Sequence, residues 1–98
     1  MVTIMSEYLS LKVITPEKEY VYEKCDSVKF CVSDNEKGKG GGNYGIRKGH
    51  AKAVFSLDNG ELKASLAGKK VVAGVTSTGF ATVEENVVTV IVDEFNMD

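Results

Sequence analysis

The sequence predicts an all-β fold, a sandwich or barrel of about eight to ten strands. Short runs in which apolar and polar residues alternate recur along the 98 residues, and this period of two is typical of half-buried strands. Turn-forming residues separate the runs at near-regular spacing, as they do in small sandwiches and barrels. No window carries a convincing helical period. A chain of this length is expected to form one domain around one core.

Three strands are predicted before the middle of the chain. Residues 9–15 alternate leucine and valine with polar residues, and Pro16 closes that run because proline offers no amide donor. Residues 19–24 are short, aromatic and β-branched, as strands often are. Residues 28–32 alternate again and lead into a glycine-rich connection at residues 37–43.

Five further runs predict strands in the second half, the third and fourth of them either one long strand or two bent ones. They are residues 51–57, 61–66, 71–78, 79–83 and 87–92. Gly60 follows an asparagine in a strong turn signal, since both residues tolerate positive φ. Gly79 marks a place where the sheet bends or two backbones approach closely. Asn86 ends the turn before the last run. Gly60, Gly79 and Asn86 are therefore predicted as structural turns.

Composition argues against several classes of function. The net charge of −2 and the pI of about 5.4 disfavour a dedicated nucleic-acid binder, which is usually basic. No apolar run approaches the roughly 20 residues that cross a bilayer, and the first residues lack the pattern of a secretory signal. We expect a chain kept in the cytosol, either free or held against a membrane.

The two cysteines, Cys25 and Cys31, are too few for a disulfide scaffold. On one straight strand they would share a face and lie about 20 Å apart, too far for a disulfide. Small apolar residues in a reducing compartment are the favoured interpretation. A metal site would need further ligands, for which His50 is the only soft candidate.

Residues 40–45 match G-x-G-x-x-G, the pattern that cradles a pyrophosphate between a strand and a helix. No helix is predicted after it, so a surface loop is favoured over dinucleotide binding. His50 is the only histidine, and no serine or cysteine lies within several residues of it. A histidine that caps a turn or lies in an interface is therefore favoured over a catalytic one.

The charge distribution is more informative. No acid lies between Glu36 and Asp58, so the rest of the chain is clearly acidic. The cationic residues of that interval are Lys37, Lys39, Arg47, Lys48 and Lys52, together with His50. This basic loop predicts a contact surface for an acidic protein loop, anionic lipid headgroups or RNA. The alternative is a loop that is merely solvated.

Five segments also match the motifs of a known family in order and spacing. They are VITP with VYE at residues 13–16 and 21–23, GIRKGHA at 45–51 for GILPGHA, NGEL at 59–62 for PGEL, TGFATV at 78–83 for GGFxEV, and NVVTVIVD at 86–93 for NxVTVLAD. From Leu9 to Asp93 the chain thus resembles the epsilon subunit of the rotary F-type ATP synthase, called delta in mitochondria. The resemblance implies a ten-stranded antiparallel β-sandwich.

The resemblance also implies a function. The chain would be a noncatalytic subunit of the central stalk, or rotor, with no active site, cofactor, metal site, nucleic acid or small-molecule substrate of its own. Its partners would be the gamma subunit and the membrane c-ring, and it would help couple ion translocation to ATP synthesis or hydrolysis. We expect it at the cytoplasmic face of a bacterial plasma membrane, attached peripherally through the complex.

The family's signature loop lies at the gamma and ring contacts, which implies a docking loop here. Its residues are Asn43, Tyr44, Gly45, Ile46, Arg47, Lys48, Gly49 and His50. We expect Gly45 and Gly49 to allow turns, Ile46 to anchor the loop, and Arg47, Lys48 and His50 to face a partner. Arg47 and Lys48 replace the family's Leu-Pro. The alternative is a free-standing sandwich that binds an anionic partner through the basic loop.

The resemblance bounds the β-sandwich domain at residues 9–93, between an N-terminal tail at 1–8 and an acidic tail at 94–98. Members of the family usually continue into a two-helix hairpin. This sequence stops at Asp98, so the hairpin's regulation is not carried over from the family. Either the natural protein is a short form or the segment was removed. High mobility is expected for residues 38–42, because glycine restricts the backbone least.

Overall fold

The computed structural model describes residues 8–33 and 42–97. These residues form ten β-strands and no helix, which confirms the predicted all-β fold. The strands are β1 (Leu9–Ile14), β2 (Glu19–Cys25), β3 (Ser27–Val32), β4 (Gly42–Arg47), β5 (Ala53–Leu57), β6 (Gly60–Leu66), β7 (Lys69–Thr76), β8 (Gly79–Glu84), β9 (Val87–Val92) and β10 (Phe95–Met97).

The strands form one hydrogen-bonded sheet that curls until its two halves face each other as a sandwich. The first layer has the order β4-β3-β6-β7-β10, and the second has the order β5-β8-β9-β1-β2. The layers join where Val32 of β3 pairs with Leu57 of β5. Across the layers, the ring centroids of Phe30 and Phe55 lie 5.5 Å apart.

The sheet is mostly antiparallel, as expected, and it includes one parallel pair. Strand β1 pairs antiparallel with β2 on one side and parallel with β9 on the other. Hairpin signals in a sequence predict only antiparallel neighbours, whereas parallel neighbours need a long connection between them. Here most of the domain forms that connection, so no local signal could show the pairing.

The core lies between the two layers and is built by the predicted alternation of side chains. Each fully buried aliphatic or aromatic side chain stabilises the fold by about 1.5–3 kcal/mol relative to exposure. The largest buried side chains are Phe30, Leu9, Leu11, Ile46, Leu62, Val13, Val28, Val83, Val88 and Val90.

Two strands lie where the sequence predicted none. β4 occupies part of the predicted docking loop, and β10 occupies the predicted acidic tail. Phe95 explains β10, because its ring is buried and meets Tyr20 edge-on at 5.2 Å. Of the segment predicted to be mobile, residues 38–41 lie outside the described residues, and Gly42 begins β4.

Both cysteines are free thiols, and they lie in different strands rather than on one straight strand. A bend at Asp26 separates Cys25, the last residue of β2, from β3, which holds Cys31. Cys25 is fully buried, and its thiol lies 3.9 Å from the carbonyl oxygen of Tyr22, to which it donates. Burial, and then the neighbouring Asp26 carboxylate, raise the pKa of Cys25 above its usual value. Its protonated form is therefore favoured.

We expect Cys31 to be alkylated at least about tenfold faster than Cys25 in the native protein at pH 8, because the thiolate is the reactive species and Cys25 is both buried and harder to ionise. Iodoacetamide labelling followed by peptide mass spectrometry measures both rates. In denaturant the two rates should converge. Equal rates in the folded protein would contradict the packing described for Cys25.

Candidate functional site

The predicted docking loop is half strand and half turn. Asn43 to Arg47 belong to β4, which pairs with β3 along its whole length. Lys48 and Gly49 form the turn that follows, and His50 comes directly after it. The prediction of a loop is wrong over β4. The side chains of Tyr44 and Ile46 point toward the core at alternate positions, but the glycine and polar residues around them hide this period of two in the sequence.

The two glycines of the segment have different roles. Gly49 has a φ of 86°, a conformation that favours glycine, and it forms the turn as expected. Gly45 has no positive φ, and a Cβ built on it would meet only the Cγ of Lys29 at 3.8 Å, an ordinary contact. The expectation that Gly45 allows a turn is wrong, since it lies within a strand.

His50 packs into an aromatic cluster at the edge of the sandwich. Its ring lies 5.9 Å from that of Tyr44 and 6.3 Å from that of Phe55, and the Tyr44 and Phe55 centroids are 4.8 Å apart. Phe30 contacts both of the latter rings. Such pairs add about 0.5–1.5 kcal/mol each beyond area burial, so the cluster fixes the turn against β3, β4 and β5.

Both ring nitrogens of His50 have partners. Nδ1 lies 2.7 Å from the carbonyl oxygen of Ala51, and Nε2 lies 3.1 Å from the hydroxyl of Tyr44. A carbonyl oxygen can only accept, so Nδ1 carries the proton, and in the neutral ring Nε2 accepts from Tyr44. The backbone N–H of His50 also donates to the carbonyl of Arg47 at 3.2 Å. These contacts make His50 a brace for the turn.

Asn86 connects this turn to the neighbouring hairpin. It lies with Glu85 in the two-residue turn between β8 and β9, and both have positive φ, 66° and 52°. The Asn86 side-chain oxygen accepts from the Gly49 N–H at 2.8 Å, and its backbone oxygen accepts from the Ser10 N–H at 2.9 Å. One residue thereby holds the end of β1, the β8–β9 turn and the predicted docking segment together.

Two substitutions of Asn86 separate the contribution of its side-chain hydrogen bond from that of its left-handed backbone. Asn86→Gly removes the acceptor for Gly49 but keeps positive φ accessible, so we expect a loss of about 1 kcal/mol in the free energy of unfolding. Asn86→Ala removes the acceptor and also disfavours positive φ, so it should lower the free energy of unfolding by about 2 kcal/mol. Urea unfolding of the two variants and the wild type measures the order. Equal losses would show that the left-handed backbone adds nothing.

The cationic side chains of this region are solvent-exposed. Lys52 lies 3.7 Å from the carboxylate of Glu84, and an exposed pair of this kind contributes little. Within residues 8–33 and 42–97, neither Arg47 nor Lys48 forms an ion pair. Both line a shallow depression of about 410 Å³. Lys37 and Lys39 lie outside the described residues.

An exposed apolar face on the second layer was missed by the sequence reasoning. We define this apolar face as Ile14, Val54, Phe80 and Ile91, which lie on the outer side of four adjacent strands. Phe80 pairs directly with Ile91, and Ile91 pairs with Ile14. Val54, Phe80 and Ile91 are 66%, 58% and 48% exposed. Contiguous apolar residues on a sheet surface mark a docking surface more often than single exposed ones.

A depression of about 650 Å³ lies at one end of the apolar face, lined by Ile14, Pro16, Phe80 and Ile91 among others. Gly60 and Gly79, predicted as structural turns, are the first residues of β6 and β8. Their placement is explained by close approach, since a Cβ on Gly60 would lie 2.5 Å from that of Cys31.

Across the described residues, no three His, Cys, Asp or Glu side chains converge where they could hold a metal ion. The same part of the chain contains no apolar helix of the length that a membrane span requires.

Comparison with known proteins decides the family. The family model described as "ATP synthase, Delta/Epsilon chain, beta-sandwich domain" matches residues 8–97. The chain belongs to this family. The resemblance seen in the five sequence motifs is thereby confirmed. No curated protein matches the delta/epsilon-type chain significantly.

Solved structures share the fold of this delta/epsilon-type chain. A chain of the Euglena gracilis mitochondrial ATP synthase (OSCP/F1/c-ring, rotational state 1) superposes with a TM-score of 0.76 at 22% identity, covering 98% of this chain and 56% of that one. A chain of the Tetrahymena thermophila mitochondrial ATP synthase (central stalk/c-ring) gives 0.70 at 16% identity, covering 94% and 68%. The chain therefore spans little more than half the length of the Euglena protein.

Proposed function

We propose that this delta/epsilon-type chain is a noncatalytic central-stalk subunit of a rotary F-type ATP synthase. Its family membership supports this role, as does its fold, which it shares with chains from assemblies described as OSCP/F1/c-ring and as central stalk/c-ring. In this role it links the gamma subunit to the membrane c-ring and helps couple ion translocation to ATP synthesis or hydrolysis. It has no active site of its own.

The observation that carries the proposal is the apolar face. Phe80 and Ile91 are a directly opposed cross-strand pair, and both are about half exposed. Burying such side chains against a partner is favourable by about 25 cal/mol for each Å² of apolar surface. We assign this face to the gamma subunit, because a rotor subunit needs a partner surface that remains bound through rotation.

The docking segment from Asn43 to His50 supplies a second contact, toward gamma and the c-ring. The aromatic cluster and the Asn86 hydrogen bond hold this segment rigidly, which reduces the entropy lost on docking. Arg47 and Lys48 extend into solvent and suit a negatively charged partner group.

The proposed location is the surface of an ion-coupling membrane, to which the complex attaches the subunit peripherally. The finer proposal is the cytoplasmic face of a bacterial plasma membrane. Both similar solved structures are mitochondrial assemblies, so a mitochondrial membrane is the competing location. Fractionation of source cells, with detection of the chain beside gamma, separates the two.

Copurification tests the proposed function. The tagged chain, coexpressed with the gamma subunit and c-ring of the same organism, should retain both through a detergent wash, and gamma alone should bind when the c-ring is omitted. If the tagged chain elutes as a monomer and retains neither gamma nor the c-ring, the stalk assignment is wrong.

The second candidate is a free-standing sandwich that binds an acidic protein, anionic lipid or RNA through the basic loop. It is favoured by the two exposed cations, Arg47 and Lys48, which have no ion-pair partner in the described parts of the chain. Under this hypothesis, polyanion binding is salt-dependent and disappears in the Arg47→Ala/Lys48→Ala variant, while gamma does not bind.

A further inference from the structure

The outer side of the first layer carries four cations in two neighbouring rows. In one row Lys29 of β3 lies directly opposite Lys63 of β6. In the other, Arg47 of β4 and Lys70 of β7 lie at the two ends of a row whose middle positions are two serines. We define these four residues as the basic face.

This arrangement is unfavourable for the isolated protein. Like charges directly opposite each other on neighbouring strands destabilise a sheet, and Lys29 and Lys63 have no ion-pair partner in residues 8–33 and 42–97. Two acids border the face. Asp26 uses its Oδ2 to accept the Ala67 N–H at 2.8 Å, and Glu61 lies two residues before Lys63 on the same side of β6; neither forms an ion pair in the described residues. With four cations and two bordering acids, this face keeps a net positive charge.

We infer that the basic face binds an extended acidic segment of a partner protein. The two rows are two residues apart along the strands, or about 6.6 Å. Carboxylates at alternate positions of an extended segment have that same spacing, so one carboxylate meets each row. A depression of about 270 Å³ between the rows is lined by the three cations Lys29, Arg47 and Lys63 and by the hydroxyl donors Ser27 and Ser65. Asp26 also borders it, and its Oδ2 accepts the Ala67 N–H.

Two other anionic partners fit less well. A single phosphate would reach one row and leave the other unpaired. An anionic membrane surface suits a face where basic and apolar side chains lie together without acids. The exposed valines of this layer, Val71 and Val75, lie on β7, where Glu61 of β6 pairs directly with Val75 and adds a negative charge. A peptide with spaced carboxylates accounts for both rows at once.

The basic face and the apolar face are the outer sides of different layers. A partner on one leaves the other open, so the inference does not rest on the stalk assignment. The subunit can hold an acidic segment while its apolar face is occupied.

The test compares two double variants that lose the same charge. Lys29→Thr/Lys63→Thr removes the opposed pair but leaves the segment from Asn43 to His50 intact. The control, Lys12→Thr/Lys24→Thr, removes two lysines from β1 and β2 of the other layer. The probe is a fluorescent peptide in which glutamate and serine alternate, measured by anisotropy at low salt.

We expect the first variant to bind the peptide about tenfold more weakly than the wild type, and the control to bind within about twofold. The Tm of Lys29→Thr/Lys63→Thr should not fall, because the repulsion between the two lysines is relieved. If this double variant fails to fold, the single Lys29→Thr variant should still weaken peptide binding. Equal weakening in the control would overturn the inference. So would inorganic phosphate competing at micromolar concentration, or anionic vesicles binding more tightly than the peptide.

Discussion

Replacing Phe80 and Ile91 together by alanine should weaken binding of the gamma subunit by roughly 30- to 150-fold. The two side chains are a cross-strand pair on the apolar face, 58% and 48% exposed in the chain alone. Burying their exposed parts at an interface contributes about 2–3 kcal/mol together, and 1.4 kcal/mol is a factor of ten in Kd. Large apolar residues at the centre of a patch dominate such interfaces.

The fold itself should change little, because the side chains removed lie outside the core. Loss of their cross-strand contact should cost less than about 1 kcal/mol in the free energy of unfolding. Titration calorimetry with purified gamma measures the Kd, and thermal unfolding shows that the variant is folded.

A matched control comes from the other layer. Val71 and Val75 of β7 are also exposed apolar residues, 36% and 49% exposed. Val71→Ala/Val75→Ala should leave gamma binding within about twofold of the wild type, since the proposed gamma contact is on the second layer. If this pair weakens binding as much as Phe80 and Ile91 do, the assignment of the apolar face is wrong.

The strands that carry the apolar face could be predicted from the sequence, but the face itself could not. Alternation correctly predicted the strands of the second layer, because Ala81 and Val83 of β8 are buried while their neighbours face outward. The same alternation places Phe80 at an outward position. Recognising it as part of a patch needs the neighbouring strand, since Ile91 lies opposite it only through the β8–β9 register.

The candidate site shows a second limit. Glycine carries no side chain that could show a period of two, so Gly42 and Gly45 hid the strand β4, and a docking loop was predicted there instead. The inward positions of Tyr44 and Ile46 are visible only once β3 is known to lie alongside. The turn at Gly49 followed correctly from residue type. That His50 caps a turn or lies in an interface, rather than acting in catalysis, stays a prediction.

Glycines also illustrate how one residue type can have opposite energetic roles in one sheet. A Cβ on Gly79 would collide with the backbone oxygen of Ile91 and would lie 2.8 Å from Cγ1 of Val92. Backbone atoms of a paired strand cannot move aside without breaking the β8–β9 ladder. Gly45 lies in open space apart from the flexible Lys29 side chain, and its backbone is that of an ordinary strand residue.

The last prediction follows from this contrast. Gly79→Ala should lower the free energy of unfolding by about 3 kcal/mol, the upper end of overpacking costs, and lower the Tm by roughly 12–24 °C for a domain of this size. Gly45→Ala should raise the free energy of unfolding by about 0.5 kcal/mol, because alanine restricts the unfolded chain more than glycine does. Calorimetry of both variants checks the opposite signs. A destabilising Gly45→Ala would show that this position does need glycine, as a turn would, and would contradict the assignment of β4.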